Sequence, residues 1–208
     1  MNKIFGKSRS ASQVSRYYPY YYNNLDSKYD TPGFYNNLYY SDKYDALVTP
    51  VEIYMRYKLP FGCSSNKVSK VLGKPNHVFN HTMNHKIQIH LYRLKLGGHK
   101  TKCELHFYND QLFFFTYIFS YLNKDQQQQM IEMVQSKYQG EKQIDIESQK
   151  LTDENKNSII IQIASDFSLM YLWGNKEIYA QLHTDQKFAF KNTHKRLQKN
   201  NAMLYRFL

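Results

Sequence analysis

The stretch Ile87–Phe119, IQIHLYRLKLGGHKTKCELHFYNDQLFFFTYIF, decides the architecture. Ile87, Ile89 and Leu91 alternate with polar residues, Gly97-Gly98 marks a turn, and Cys103, Leu105 and Phe107 alternate again up to Asn109-Asp110. A period of two bounded by turn residues is the pattern of antiparallel strands joined as hairpins. Leu112 to Phe119 follows as a strand in which nearly every position is apolar. With residues 77–81 as a short first strand, these make a four-stranded antiparallel meander.

Working outward, the flanking segments carry helix punctuation. Upstream, FGCSSNKVSKVLGKP at 61–75 marks both ends of a short helix. Ser64 or Ser65 caps it, Val68, Val71 and Leu72 form one face, Gly73 ends it and Pro75 forbids continuation. Before it, Thr49, Pro50 and Glu52 combine a capping residue, a pre-set first turn and a capping-box acid, which predicts a helix to about Lys58. Downstream, Asn123 and Gln126 form a second capping box. Met130, Ile131, Met133, Val134 and Tyr138 make a helical stripe that Gly140 closes. Strands are then predicted over 142–149, 158–164, 167–173 and 176–182.

Helix then meander, twice, gives an α+β fold: an antiparallel sheet of about eight strands from two tandem units, with the helices on one face. The first unit spans 49–122 and the second 123–183. A basic, then Tyr-rich, irregular arm (1–48) precedes them and a basic tail (184–208) follows.

Gly62, Ser64, Val68, Leu72, Gly73 and Pro75, followed by the strands to about Phe119, resemble the SmpA/OmlA (BamE-like) lipoprotein family. The tandem arrangement resembles the β-lactamase inhibitor protein family. The resemblance implies a non-catalytic module that assists assembly or blocks an enzyme by presenting a sheet. The chain departs from the lipoprotein pattern in lacking a lipid-attachment cysteine near its start, so no outer-membrane anchor is implied.

Composition limits the rest. The 208 residues include 28 Lys and Arg against 17 Asp and Glu, a formal charge of +11 that favours acidic partners. No run reaches the roughly 18 apolar residues a membrane-spanning helix requires. Two cysteines, Cys63 and Cys103, do not make a disulfide framework, and a reducing compartment follows. The first 25 residues hold Lys3, Lys7, Arg9 and Arg16 with no acid. They read as a basic arm of a cytoplasmic protein, the alternative being an organelle matrix if residues 1–22 are a transit peptide. Ten of the twenty tyrosines fall between 17 and 45 without helical or strand periodicity.

Eight strands at about 4.8 Å spacing span roughly 40 Å, more than three helices on one face cover twice over. The central strands are nonetheless apolar on both sides. Phe113, Phe115, Tyr117 and Phe119 point one way and Leu112, Phe114 and Ile118 the other; Phe167, Leu169, Tyr171 and Trp173 oppose Met170 and Leu172. Such strands are buried on both faces or await a partner. The partner would be another protein or a second copy of the chain. It would meet Phe113, Phe115, Tyr117, Phe119, Phe167, Tyr171 and Trp173, with Tyr18 and Tyr21 of the arm; the alternative is that the arm is itself the cover.

Catalysis has little support. His77, His81, His85 and His90 scatter over strands and a turn rather than forming a metal site, no nucleophile–base pair can be assigned, and neither metal nor cofactor is implied. The alternative function is nucleic-acid binding. In the tail, Lys187, Lys191, Lys195, Arg196, Lys199 and Arg206 interleave with Phe188, Phe190 and Tyr205, which suits phosphate contact and base stacking.

Overall fold

A computed structural model describes residues 33–81, 84–140 and 143–205 together with Leu25, Lys28, Tyr29 and Thr31. Its strands are β1 (Asp45–Val48), β2 (His77–Asn80), β3 (Ile87–Leu96), β4 (His99–Tyr108), β5 (Gln111–Phe119), β6 (Gln149–Thr152), β7 (Ser158–Ile163) and β8 (Phe167–Leu172). The helices are α1 (Phe34–Tyr39), α2 (Ser65–Leu72), α3 (Lys124–Gln139) and α4 (Lys176–Leu204). The strands form one sheet in the order β1-β6-β7-β8-β5-β4-β3-β2, antiparallel except where β1 pairs β6. The class is α+β.

Both long hairpins turn on two residues. Gly97 and Gly98, like Asn109 and Asp110, all have positive φ, the geometry whose twist matches the flanking strands. Asn123 accepts from the Gln126 N–H at 2.9 Å while Gln126 Oε1 accepts from the Asn123 N–H at 3.0 Å, so the capping box that opens α3 is complete. Asn123→Ala is expected to lower stability by about 1 kcal/mol in urea unfolding.

The sheet has two covered faces. On the first, α2 and α3 and the segment from Ile53 to Cys63 enclose Leu105, Phe107, Leu112, Phe115, Tyr117, Phe119, Ile159, Ile161, Phe167, Leu169 and Tyr171. On the second, Leu25, Tyr29, Tyr35 and the start of α4 enclose Ile87, Ile89, Leu91, Phe113, Phe114, Ile160, Met170 and Leu172. The helices therefore lie on both faces, not one. The cover is the helix that residues 176–182 begin together with part of the Tyr-rich arm.

Three local readings are corrected. Residues 176–182 are helix rather than an eighth strand: Asn175 Oδ1 accepts from the Glu177 N–H at 3.1 Å, and Ile178, Tyr179, Leu182 and Gln186 are buried at helical spacing. The eighth strand is instead β1, from the segment read as irregular arm. No helix forms over 50–58 apart from a single 3-10 turn at Arg56–Lys58. Thr49 spends its hydroxyl on the Tyr138 carbonyl at 2.6 Å, and the Ile53 N–H goes to Asp153 Oδ2 at 2.8 Å. Val51, Ile53 and Met55 alternate instead and bury Ile53 and Met55 against the first face.

The third correction concerns β5. The β4 register jumps between His106, opposite Phe114, and Phe107, opposite Leu112, leaving Phe113 as the extra residue of a β-bulge. Parity reverses there. Leu112 joins Phe115, Tyr117 and Phe119 on the first face, and Phe113 joins Phe114 on the second. The freed Phe113 carbonyl accepts from the Trp173 N–H at 2.9 Å and the Tyr179 hydroxyl at 3.2 Å, so the bulge docks the corner from which α4 starts.

Candidate functional site

The aromatic side chains of the central strands form core. Phe113, Phe115, Phe119 and Phe167 are at most 1% exposed and Tyr117 and Tyr171 are 7% exposed. Phe115 and Tyr171 stack at 4.4 Å, and burial pushes the hydroxyl pKa values of Tyr117 and Tyr171 upward. Trp173 is half-buried, its ring lying where a side chain on Gly62 would sit. The six strand aromatics therefore pack within the chain. Tyr18, Tyr21 and Arg206 lie outside the described residues, as do the side chains of Arg196 and Lys199.

The arm is held on the second face by polar bonds as well as packing. Lys28 Nζ lies 3.1 Å from Glu104 Oε2, and the Tyr29 hydroxyl donates to the same oxygen. The Tyr35 hydroxyl lies 2.8 Å from His106 Nδ1, and His81 Nε2 lies 3.0 Å from the Tyr29 carbonyl. Because the Asn84 N–H points at His81 Nδ1, the proton of His81 sits on Nε2 and donates to Tyr29. Further along, Tyr39 stacks on Tyr179 at 4.0 Å. Glu104 and His106 are 0% exposed, which makes this cluster a fastening rather than a reaction centre. Burial likewise pushes the thiols of Cys63 and Cys103 up, the reverse of what a nucleophile needs.

Among the described residues, an exposed basic and aromatic stretch lies in α4 between Lys187 and Lys195. The start of α4 packs against the second face, and Asp185 and Gln186 fasten it further along. Asp185 Oδ2 accepts from Lys86 Nζ at 2.8 Å and the Tyr108 hydroxyl at 2.6 Å, and Gln186 Oε1 accepts from the Gly33 N–H at 3.3 Å. These bonds hold Asp185 below the ordinary carboxylate range although partial burial opposes them. Beyond that point Lys187, Lys191, Asn192 and Lys195 are exposed, with Phe188 68% and Phe190 51% exposed. At 1.5 Å per residue the helix continues for about 27 Å past Gln186.

The three lysines recur every fourth residue, so they form one stripe with steps of about 6 Å. At 3.6 residues per turn, Phe188 and Phe190 fall on its two sides. After Asp185 the sequence carries six Lys and Arg and no Asp or Glu. Exposed aromatic rings beside a cationic stripe can hold phosphates and stack bases together. The tail's charge was legible in the sequence. That it continues one helix already docked on the sheet was not, because the 183/184 boundary falls inside α4.

Among the described residues no helix is both long and apolar enough to cross a membrane. Comparison with protein-family models, curated proteins and solved structures finds no match for this chain.

Proposed function

We propose that this is a non-catalytic nucleic-acid-binding protein that grips the backbone of a single strand with Lys187, Lys191 and Lys195 and stacks bases on Phe188 and Phe190. The observation that carries this reading is the acid-free sequence after Asp185, in which Lys187, Lys191, Lys195, Phe188 and Phe190 are exposed. The other reading, a protein partner or a second copy, would have to use residues other than the six strand aromatics, which are buried. Two free cysteines fit a cytoplasmic setting.

Fluorescence anisotropy with a labelled oligothymidylate tests it across about 50 to 200 mM salt. Each phosphate contact on a single strand contributes about 0.7 to the slope of log K against log salt, so Lys187→Gln with Lys191→Gln and Lys195→Gln should lower that slope by about 2. Phe188→Ala with Phe190→Ala should weaken binding at every salt concentration and leave the slope unchanged, because stacking releases no counterions. Salt-insensitive binding, or none, overturns the reading.

A further inference from the structure

A groove of about 370 Å³ lies between the β4–β5 turn and α4. That is at the small end of ligand-sized clefts, room for one nucleobase. Lys86, Tyr108 and Asn109 line it from the sheet, and Gln181, Thr184 and Asp185 from the helix. The Asn109 N–H donates to the Lys86 carbonyl at 3.0 Å, which fixes the turn on that side. Ala180 also lines the groove, and Ala180, Thr184, Lys187, Lys191 and Lys195 advance along α4 by four, three, four and four residues. Groove and lysine stripe therefore lie on one helix face, with Thr184 about 4.5 Å along the axis from Lys187.

The polar groups of the groove are unequally engaged. The Thr184 hydroxyl is committed to the Ala180 carbonyl at 3.0 Å. Asp185 Oδ2 accepts from both Lys86 Nζ and the Tyr108 hydroxyl, whereas Oδ1 receives no donor among the described residues. Asn109 and Gln181 are exposed, and their amides can both donate and accept. A phosphate brought to this place would confront the Asp185 carboxylate, while the sequence beyond it carries no acid. A strand whose backbone follows the lysines and continues one turn toward the helix start therefore presents a base here, not a phosphate.

We propose that this groove reads one base of the bound strand, admitting bases that carry an exocyclic amino group and rejecting thymine and uracil. This inference rests on the nucleic-acid reading above and adds base selectivity to it. The amino group of cytosine, adenine or guanine supplies the donor for Asp185 Oδ1, and an amide N–H of Gln181 or Asn109 meets the acceptor next to it on the same base edge. Thymine and uracil have no amino group, and the carbonyl oxygens that flank their ring N–H would face the carboxylate.

The test uses the full-length protein in fluorescence anisotropy, comparing labelled oligothymidylate with the same strand in which a central thymine is replaced by cytosine, adenine or guanine. Replacement should raise affinity about tenfold near 0.1 M salt. It should leave the slope of log K against log salt unchanged, because no phosphate contact is added. Asp185→Asn should abolish the preference, since its amide donates to a thymine carbonyl as readily as it accepts from an amino group. Asp185 also fastens α4, so Gln181→Ala, at an exposed position, is the second variant. It should reduce the preference to about threefold with the thermal midpoint unchanged.

A gain confined to one of the three bases supports the groove and identifies its base. Equal affinity for all four strands, with the salt slope intact, overturns the inference and leaves the helix reading standing. A preference for thymine, or a preference for amino-bearing bases that survives both substitutions, overturns it as well. No binding to any of the strands overturns both.

Discussion

Gly174→Ala is expected to cost the fold more than about 3 kcal/mol, at the top of the range for inserting one methyl group into packed structure. A Cβ at this position would lie 2.1 Å from the Asn155 carbonyl oxygen, 2.6 Å from the Lys156 carbonyl carbon and 2.9 Å from the Asn157 nitrogen. All three are backbone atoms, so no rotamer change relieves the contact.

Nor can that backbone withdraw easily. Asp153 Oδ1 accepts from the Asn157 N–H at 2.9 Å, and Asp153 Oδ2 accepts from the Ile53 N–H at 2.8 Å and Asn157 Nδ2 at 3.0 Å. Asn157 Oδ1 in turn accepts from the Gly174 N–H at 2.9 Å. Moving the turn breaks buried hydrogen bonds whose partners cannot find water. Gly97→Ala provides the comparison: its Cβ meets nothing within 4 Å, and only its positive φ is strained. It should lose about 1 kcal/mol. Urea unfolding of the two variants checks the difference, and equal losses would show that the corner before α4 can relax.

Acid should weaken the protein through His106. Enclosure of this side chain pushes its pKa down to about 4, with Lys28 and His81 adding to the effect, although the nearby Glu104 carboxylate pulls it upward. The Tyr35 hydroxyl lies 2.8 Å from Nδ1, and Nε2 lies 3.9 Å from Glu104 Oε2. The folded protein therefore keeps His106 neutral where the unfolded chain, with an ordinary value near 6.5, takes up a proton.

The stabilisation is complete above about pH 6.5 and drains away as the pH falls toward 4, a loss of about 3 kcal/mol from this group. Lys28, Tyr29, Tyr35, Glu104 and His81 surround it, so the arm shares in the effect. His106→Gln should flatten this part of the profile. Urea unfolding at steps between pH 7 and 4 measures it, and parallel curves for the two proteins would assign the acid sensitivity elsewhere.

The sheet's centre was readable from the chain because β3 and β4 keep a strict alternation and both hairpins turn on residues that tolerate positive φ. The caps of α2 and α3 were readable because Ser64, Asn123 and Gln126 act within a few residues of themselves. What escaped the sequence depended on distant partners. The bulge at Phe113 reverses parity only because β4 presents one residue fewer opposite it, so an unbroken alternation put Phe113 with Phe115. Asn175 resembles a hairpin turn until its side chain is seen to cap α4.

Tyr29, Tyr35 and Tyr39 show no period because each answers a different position of the second face: Glu104, His106 and Tyr179. Excess aromatic surface was correctly counted, but the arm and α4 consume it. In the candidate site, the tail's lysines were visible as charge while their exposure was not.

Ultraviolet cross-linking of the full-length protein to oligothymidylate, with the attached peptides mapped by mass spectrometry, tests most directly whether ligand meets the periphery rather than the sheet. Adducts should fall on Phe188, Phe190 and their neighbours in α4, with none on residues 111–119 or 167–172. Adducts concentrated on those two central strands would contradict the account, since they require a sheet face that the arm and α4 leave open.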